Sequence, residues 1–460
     1  MFPEKFIQRI RTQEYIYAEE LREALQEPSP VSIRINPLKW DKKPLESEPV
    51  PWCATGFYLD NRPSFTLDPL FHSGCYYPQE ASGMFIEQIF RQIVRTDGYL
   101  RVLDLCGAPG GKSTHLSYLI GSGGVLVANE VIKARASVLA ENLAKCGSTN
   151  TIVTQNDPSA FSSLPGFFDV ILVDAPCSGE GMFREGVAVN EWSEGNAFHC
   201  SERQKRILQD VWPALKANGI LIYSTCTFNP EENERNVKWL TCKKMAEAIE
   251  LNISDFKGIK EIDHQGIKGY GFYPGRIRGD GLFISVIRNT GKSSGMKTGI
   301  KKEQTGDLKR TDLEITKEWT TFPSENIIRS GEEIHSFAGR AEDYYLLNGC
   351  LKIIGKGTRI CTVKGNDHIP AHELALSDGI RKDAFHKAEL DHSQSLAYLR
   401  RDNIVSPDIP KGWFIPTYMG INLGFCNNIG SRINNYYPVD WRIRMSIPGS
   451  GAKSIIFWDS

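Results

Sequence analysis

Two cysteines and one aspartate are the residues whose types and positions could carry out a covalent reaction. Asp174 and Cys177 belong to the segment Asp174-Ala-Pro-Cys-Ser-Gly-Glu-Gly181, and Cys226 belongs to Tyr223-Ser-Thr-Cys-Thr. A thiolate is a strong nucleophile, and a nearby carboxylate can stabilise charge that develops on a substrate. A single cysteine in such a place is more often an inert core residue. Two that converge beside an acid are harder to explain as packing.

A glycine-rich turn earlier in the chain could hold a ligand. In Val102-Leu-Asp-Leu-Cys-Gly-Ala-Pro-Gly-Gly-Lys-Ser-Thr114 an apolar run leads into the turn and then into a helix-like segment. The spacing is neither that of a P-loop nor that of the G-x-G-x-x-G fingerprint, so we expect a neutral or zwitterionic ligand rather than a triphosphate. The alternative is a tight strand–helix turn that binds nothing. The turn comprises Cys106, Gly107, Ala108, Pro109, Gly110, Gly111 and Lys112.

Two acids follow the next two apolar runs. Glu130 ends the second run, where nucleoside-binding sheets place a carboxylate that accepts ribose hydroxyls, and Asp157 ends the third. A lone acid at a strand end is usually a helix cap or a solvated turn. Two of them after a glycine loop favour an adenosine-containing ligand.

The elements that must position these residues alternate between strands and helices from residue 71 to 290. This alternation is typical of a parallel sheet with helices on both faces, a Rossmann-like α/β fold. The predicted helices are Lys112–Ile120, Lys133–Lys145 and Ser201–Ala217. The predicted strands are Tyr99–Leu105, Gly124–Asn129, Thr151–Gln155, Phe168–Asp174, Gly219–Ser224 and Gly281–Arg288.

Regions of different character flank this domain. Residues 1–70 form an α+β extension with the strand Val31–Ile35, and residues 291–315, rich in Lys, Gly, Ser and Thr, form a linker. Residues 316–390 form a middle α/β domain with strand-like runs at Tyr344–Leu347, Leu351–Ile354 and Arg359–Val363. After a helix around Phe385–Arg401, the turn-rich end of the region 391–460 predicts a small β-barrel.

Composition restricts the partners. The 460 residues carry 54 Lys and Arg against 55 Asp and Glu, a net charge of -1, so any nucleic-acid contact must come from local patches. Positive charge exceeds negative charge in 31–43 and in 411–453, the latter through Lys411, Arg432, Arg442, Arg444 and Lys453.

No run approaches the ~18 apolar residues that span a bilayer, so we expect a cytoplasmic protein. The 11 cysteines are never spaced C-x-x-C, and we predict no metal site.

Three motifs in sequence order give the chain a family resemblance. Asp-x-Cys-x-Ala-Pro-Gly-Gly-Lys, Asp-Ala-Pro-Cys-Ser-Gly and Ser-Thr-Cys-Thr resemble those of the Sun-type RNA cytosine-5 methyltransferases, in particular the RsmF-like bacterial ribosomal RNA enzymes with a C-terminal PUA-like barrel. The resemblance is strong over 71–290 and weaker over 31–40 and 411–445. Gly107 is a small departure, because the family more often has alanine there.

The resemblance implies roles for individual residues. S-adenosylmethionine would lie against Cys106–Lys112, with Glu130 at its ribose, Asp157 at its adenine and Asp174 facing both cofactor and target base. Cys226 matches the family's nucleophile, and Cys177 matches its second cysteine, implicated in product release. The segment Val31–Lys39 resembles the family's RNA-contacting segment, which implies that Arg34, Asn36 and Lys39 bind RNA.

The reaction implied is methylation of carbon 5 of a cytosine in ribosomal RNA, through a covalent cysteine–RNA intermediate. The substrate implied is small-subunit (16S) rRNA near the decoding region, and we expect a monomer.

Three alternatives stay open. Cys177 could be the nucleophile, as in DNA cytosine-5 methyltransferases. The chain could be a non-catalytic RNA-binding or ribosome-assembly factor, or it could methylate a protein or a small molecule. The sequence leaves open which cytosine is modified, whether free RNA or the assembled subunit is the substrate, and whether methylation serves ribosome maturation or antibiotic resistance.

Overall fold

The computed structural model describes residues 2–292, 308–404, 409–445 and 455–459. In these ranges no helix is long and apolar enough to cross a membrane. Most of the linker predicted at 291–315 lies outside the described residues, as does Lys453.

The N-terminal region combines helices with a small antiparallel sheet. The sheet has the strand order β2-β3-β1-β4. Strand β1 is central and almost fully buried, because it pairs with β3 on one side and β4 on the other. The elements are α1 (Glu4–Thr12), α2 (Ala18–Ala24), β1 (Val31–Ile35), β2 (Ser47–Pro49), β3 (Gly56–Leu59), α3 (Pro69–His72) and β4 (Tyr76–Pro78).

The central domain follows the predicted alternation of strands and helices. Its helices are α4 (Ile86–Gln92), α5 (Gly111–Ile120), α6 (Lys133–Cys146), α7 (Val187–Glu191), α8 (Glu194–Val211) and α9 (Glu234–Lys243). Its strands are β5 (Leu100–Asp104), β6 (Gly124–Asn129), β7 (Thr151–Thr154), β8 (Phe168–Asp174), β9 (Leu215–Thr225), β10 (Ala246–Ile249), β11 (Lys260–His264), β12 (Ile267–Phe272) and β13 (Leu282–Asn289).

Five parallel strands form the centre of this sheet in the order β7-β6-β5-β8-β9, and β13 continues it antiparallel to β9. Successive residues point to opposite faces, so Val102 packs in one core and Leu103 in the other. Both faces are therefore covered, as the continuous apolar strands predicted. Because these strands are parallel, the loops after β5, β6, β8 and β9 all lie at one edge of the sheet. The strand order changes direction between β5 and β8. The Rossmann-like fold class is confirmed.

The middle region builds its own antiparallel sheet and also adds a strand to the central one. Its sheet has the order β14-β15-β17-β18, whereas β16 pairs antiparallel with β7 and extends the central sheet to ten strands. The elements are α10 (Arg310–Trp319), β14 (Ile327–Ser330), β15 (Glu333–Ser336), α11 (Ala341–Cys350), β16 (Ile353–Lys356), β17 (Thr358–Lys364), β18 (Asp367–Pro370) and α12 (His372–Leu376).

In its described residues, the C-terminal region forms a five-stranded mixed sheet and one helix. Strands β19 and β20 are parallel, and the other pairs are antiparallel. Phe414, Leu423 and Tyr437 fill its core, while Trp441 packs against that core partly buried. The elements are β19 (His386–Glu389), α13 (His392–Arg400), β20 (Gly412–Tyr418), β21 (Ile421–Asn422), β22 (Cys426–Asn428) and β23 (Ile433–Asn435).

Several local predictions were wrong. Tyr344–Leu347 lies in helix α11 rather than in a strand, because Tyr344, Leu347 and Leu351 recur at helical spacing and are all buried. The helix predicted at Ser201–Ala217 ends at Val211, just before Pro213, and Leu215 already begins β9. The helix around Phe385–Arg401 is in fact strand β19 followed by the shorter helix α13.

Candidate active site

A cleft of about 370 Å³ opens at the carboxyl end of the parallel strands. The N-terminal region, the glycine-rich turn and the ends of β8 and β9 all contribute to its walls. This is the edge at which open α/β sheets bind ligands. The sequence-predicted residues that line it are Cys106, Gly107, Ala108, Pro109, Gly111, Lys112, Asp174 and Cys226.

The glycine-rich turn is tightly packed under the cleft. The amide of Gly107 donates to the carbonyl of Asn129, 2.8 Å away, which joins the turn to the end of β6. A Cβ at Gly107 would lie 2.6 Å from Oγ of Ser113, so an alanine would require that hydroxyl to move. Gly110 has φ +123° immediately before α5, a conformation that L side chains rarely adopt. Glycine is therefore needed at position 110 for its backbone conformation, and Gly110 is not among the residues that line the cleft.

Asp104, at the end of β5, is a site residue that the sequence reasoning quoted in a motif but did not assign. It lines the cleft although it is buried, and Oδ2 accepts a hydrogen bond from Oγ of Ser113 at 2.6 Å. Oδ1 has no hydrogen-bond partner among the described residues. Burial, together with the charge of Asp174, raises the pKa of Asp104 to about 7.

Asp174, at the end of β8, is fixed by two donors. Nζ of Lys112 lies 2.8 Å from Oδ2, and Oγ of Ser224 donates to Oδ1 at 2.7 Å. Burial disfavours the charged form of Lys112, but the neighbouring Asp174 carboxylate outweighs it, so the pKa of Lys112 is raised. The cleft therefore holds an ion pair whose carboxylate remains about one-third exposed.

The two cysteines meet at this site. Sγ of Cys177 lies 2.9 Å from Sγ of Cys226, although 48 residues separate them in the chain. The pKa of Cys177 is raised well above its usual value, first by the hydrogen bond with Cys226 and then by burial. The two thiol groups therefore form one hydrogen-bonded pair, in which either sulfur can be the donor.

Glu232 ties together the two loops that carry the cysteines. It follows β9 and is buried, and it accepts hydrogen bonds from the amide of Ser178 at 2.9 Å and from Nε2 of Gln204 at 3.0 Å. Burial raises the pKa of Glu232 to about 7. Sequence reasoning missed this residue; its only signal was its place in the polar run Asn229–Glu234 after the Cys226 motif.

Sequence models of known protein families match segments of this chain from its N-terminal region to its C-terminal sheet. Residues 94–288 match the sequence model of the 16S rRNA methyltransferases RsmB/F, residues 2–81 that of the N-terminal domain of RsmF, and residues 385–443 that of the RsmF PUA domain. The ribosomal RNA small subunit methyltransferase F of Pectobacterium atrosepticum is 31% identical over 92% of this chain and 91% of its own length. That of Citrobacter koseri is 30% identical over 95% and 96%. The chain belongs to the RsmF family of 16S rRNA methyltransferases.

Solved structures agree with this family for the methyltransferase part. A methyltransferase homologue from Pyrococcus horikoshii is 29% identical, with a TM-score of 0.53 over 63% of this chain and 95% of its own. NSun6 from the same organism, solved with SFG, shares the fold at 21% identity, with a TM-score of 0.52.

Two acids predicted from the RsmF-type resemblance lie outside the lining of the cleft. Glu130 is buried, and it accepts from the amide of Ile132 at 3.0 Å and pairs with Arg135 at 3.4 Å. Asp157 caps the turn that follows it and forms an exposed ion pair with Arg206 at 3.3 Å. Their roles at ribose and adenine stay predictions.

The expectation that the RsmF N-terminal segment offers Arg34, Asn36 and Lys39 to RNA conflicts with their contacts. Arg34 is 2% exposed and donates to Gln79 and Thr114 at 2.8 and 2.7 Å. Asn36 and Lys39 donate to backbone carbonyls of the catalytic helix α6 and of the 73–74 turn. These side chains hold the N-terminal sheet against the rest of the protein, and the Arg34 guanidinium is enclosed; RNA binding by the three residues stays a prediction.

Proposed function

We propose that the protein transfers a methyl group from S-adenosylmethionine to carbon 5 of a cytosine in 16S rRNA, through a covalent bond between Cys226 and the base. The observation that carries this proposal is the meeting of Cys226 and Cys177, with their sulfurs 2.9 Å apart, beside a cleft that also holds Asp174 and the glycine-rich turn. Family membership supports the RNA substrate.

The cleft fits the proposed cofactor. Its volume is in the range of small-molecule sites, and the glycine-rich turn leaves its backbone open to a ligand. Oδ1 of Asp104, buried and unpartnered among the described residues, is an acceptor for an ammonium group such as that of the methionine moiety. The residues Cys106–Lys112 and Asp104 would hold the cofactor, which supplies an electrophilic methyl group.

Cys226 would act first. Carbon 5 of cytosine is a weak nucleophile, but a thiolate that adds to carbon 6 turns the ring into an enamine whose carbon 5 can attack the methyl group. The Cys177 thiol, 2.9 Å away, would stabilise the Cys226 thiolate by hydrogen bonding before that addition.

Asp174 would hold the base during this step. Addition of the thiolate places negative charge on ring nitrogen 3 and the exocyclic oxygen, and a proton at nitrogen 3 would neutralise it. The Lys112 ammonium, 2.8 Å from Asp174, would supply that proton, and Asp174 would pass it to nitrogen 3. The Asp174 carboxylate, held by Ser224, would then accept the hydrogen bond of the new N–H and take the proton back when the ring is restored. The base must leave its stack to reach this cleft, at a cost of a few kcal/mol.

Cys177 would act last. After methyl transfer a water molecule would accept the carbon-5 proton, while the electrons of that C–H bond re-form the ring double bond and expel the Cys226 thiolate. A thiol beside Cys226 can assist this elimination. Glu232, which holds the Cys177 loop through Ser178, would act as a positioning residue.

The flanking regions would hold the RNA and leave the choice of base to the cleft. In this proposal residues 71–290 form the catalytic domain, while 1–70, 316–390 and 391–460 are accessory. The RsmF PUA match supports RNA binding at the C-terminal end, where four basic side chains are exposed: Lys411, Arg432, Arg442 and Arg444.

The test compares cysteine variants of the full chain on 16S rRNA and on assembled small subunits, followed by bisulfite mapping of methylated cytosines. We expect Cys226→Ala to abolish methylation and covalent trapping, and Cys177→Ala to accumulate a protein–RNA adduct that resists denaturation. Cys361→Ala, a buried cysteine on β17 of the middle region, is the matched control and should behave as the parent protein. An adduct formed by Cys226→Ala would overturn the nucleophile assignment, and an unchanged bisulfite map in cells that lack the gene would overturn the substrate.

A further inference from the structure

A second group of ligating side chains lies outside the cleft, where the N-terminal sheet packs on the catalytic helices. Cys53 lies in the turn between β2 and β3, Glu87 on α4 and His115 on α5. The Cys53 sulfur, a Glu87 carboxylate oxygen and a His115 ring nitrogen all lie within 4.8 Å of one another. Each residue is at most 3% exposed. Three residues that can bind a transition metal are thus enclosed in one small space.

The polar atoms of this group are poorly satisfied. Oε2 of Glu87 and both ring nitrogens of His115 are buried, and no hydrogen bond of good geometry reaches them from the described residues. Oε2 and Nε2 face each other at 3.4 Å. The other carboxylate oxygen, Oε1, accepts from the amide of Ala54 at 3.2 Å and pairs with Arg91. Buried polar atoms without partners are uncommon and call for a bound group.

A hydrogen bond between His115 and Glu87 does not explain this arrangement. The 3.4 Å between Nε2 of His115 and Oε2 of Glu87 is long for a hydrogen bond, and Nδ1 of His115 has no partner among the described residues. Imidazole nitrogens are common metal ligands.

We propose that Cys53, Glu87 and His115 form a zinc(II) site that joins the N-terminal region to the catalytic domain. Thiolate, imidazole and carboxylate are the ligands that zinc prefers. Zinc–ligand bonds of about 2.0–2.3 Å place the ligand atoms of a tetrahedral site roughly 3.5 Å apart. The three ligand atoms here lie within 4.8 Å of one another, so side-chain shifts of about 1 Å would bring them to bonding distance from the ion. Water takes the fourth position, and the exposed neighbour Ala54 marks a short path to solvent.

Charge and proton balance are consistent with a divalent ion. A cysteine side chain is ordinarily a protonated thiol at neutral pH. Zinc displaces that proton to solvent, and the resulting thiolate and the Glu87 carboxylate neutralise the two charges of the ion. Binding should release one proton per zinc ion.

The sequence pattern did not reveal this site, because its ligands come from three segments with no spacing motif. His115 stands on the helix that begins at Gly111, directly after the glycine-rich turn. A metal there would fix α5, and hence that turn, against the N-terminal sheet.

The test is metal analysis of the full-length protein, produced without a metal-binding tag and without chelators. We expect one zinc ion per chain, reduced to background in Cys53→Ser and His115→Asn, with binding weakened at least about tenfold in Glu87→Gln. Cys75→Ser removes an equally buried cysteine from the N-terminal region and should retain the metal.

A second measurement uses the parent protein alone, in case the variants unfold. Cobalt(II) added to protein from which metal has been removed should produce a thiolate-to-cobalt charge-transfer band and release one proton per ion, and zinc should abolish the band. Parent protein with no more metal than Cys53→Ser, or with no such band, would overturn the proposal. A band that survives in Cys53→Ser would overturn it as well.

Discussion

Replacement of Arg34 distinguishes a structural arginine from an RNA-binding one. Arg34→Met keeps most of the side-chain volume but removes two charge-assisted hydrogen bonds, to Gln79 and Thr114. Such bonds contribute about 1.5–3 kcal/mol each, and the cost of burying the charge offsets part of that. Thr114 retains its bond to the carbonyl of Gly111, whereas Oε1 of Gln79 loses its donor. We expect the free energy of unfolding to fall by about 3 kcal/mol.

The assays are urea unfolding and RNA binding at several salt concentrations. Arg34→Met should lower the unfolding midpoint, while the slope of log affinity against log salt stays the same, because no phosphate contact is lost. Lys43→Met, an exposed residue of the same basic segment, is the control and should leave stability within about 0.5 kcal/mol. If Arg34→Met instead kept the midpoint and reduced the salt slope by about one, the guanidinium would contact RNA and our reasoning would be refuted.

Two further predictions concern the cleft. The pKa of Asp104 in the folded protein, about 7, exceeds its ordinary value, so the folded state holds a proton that the unfolded state has lost. The free energy of unfolding should therefore fall as pH rises from about 4 to 7. Asp104→Asn should flatten this dependence in urea titrations and weaken S-adenosylmethionine binding, and an unchanged pH profile would contradict the assignment. Mild oxidation with peroxide should join the sulfurs of Cys177 and Cys226 in a disulfide, with loss of two protons and two electrons to the peroxide. The disulfide should block methylation until a thiol reductant is added. Mass spectrometry of peptides checks the link, and oxidised, inactive parent protein without this cross-linked peptide would contradict the prediction.

Local sequence predicted the elements that depend on near neighbours. The parallel strands are continuous apolar runs, so β6 and β8 have the bounds that were predicted, and the ends of the strands located Asp174 and Cys226 correctly at one edge. Local sequence could not predict the roles of residues whose partners lie far away in the chain. The resemblance implied an RNA contact for Arg34, whereas its hydrogen-bond partners Gln79 and Thr114 belong to other elements and became visible only in the structure. Glu232 and Asp104 gained significance only when burial and their hydrogen bonds were visible.

The strand β16 has a consequence for how the chain folds during synthesis. The edge of the sheet at β7 is closed by residues that lie about two hundred positions later, after the catalytic motifs and the 293–307 segment. A nascent chain that already contains every residue of the proposed active site still exposes the backbone amides of β7, and an open edge of this kind recruits other strands. Translation that stops before β16 is complete would release a polypeptide that contains the proposed active-site residues but leaves the edge of β7 unpaired. Fragments cut at the predicted linker should therefore be recovered as aggregates.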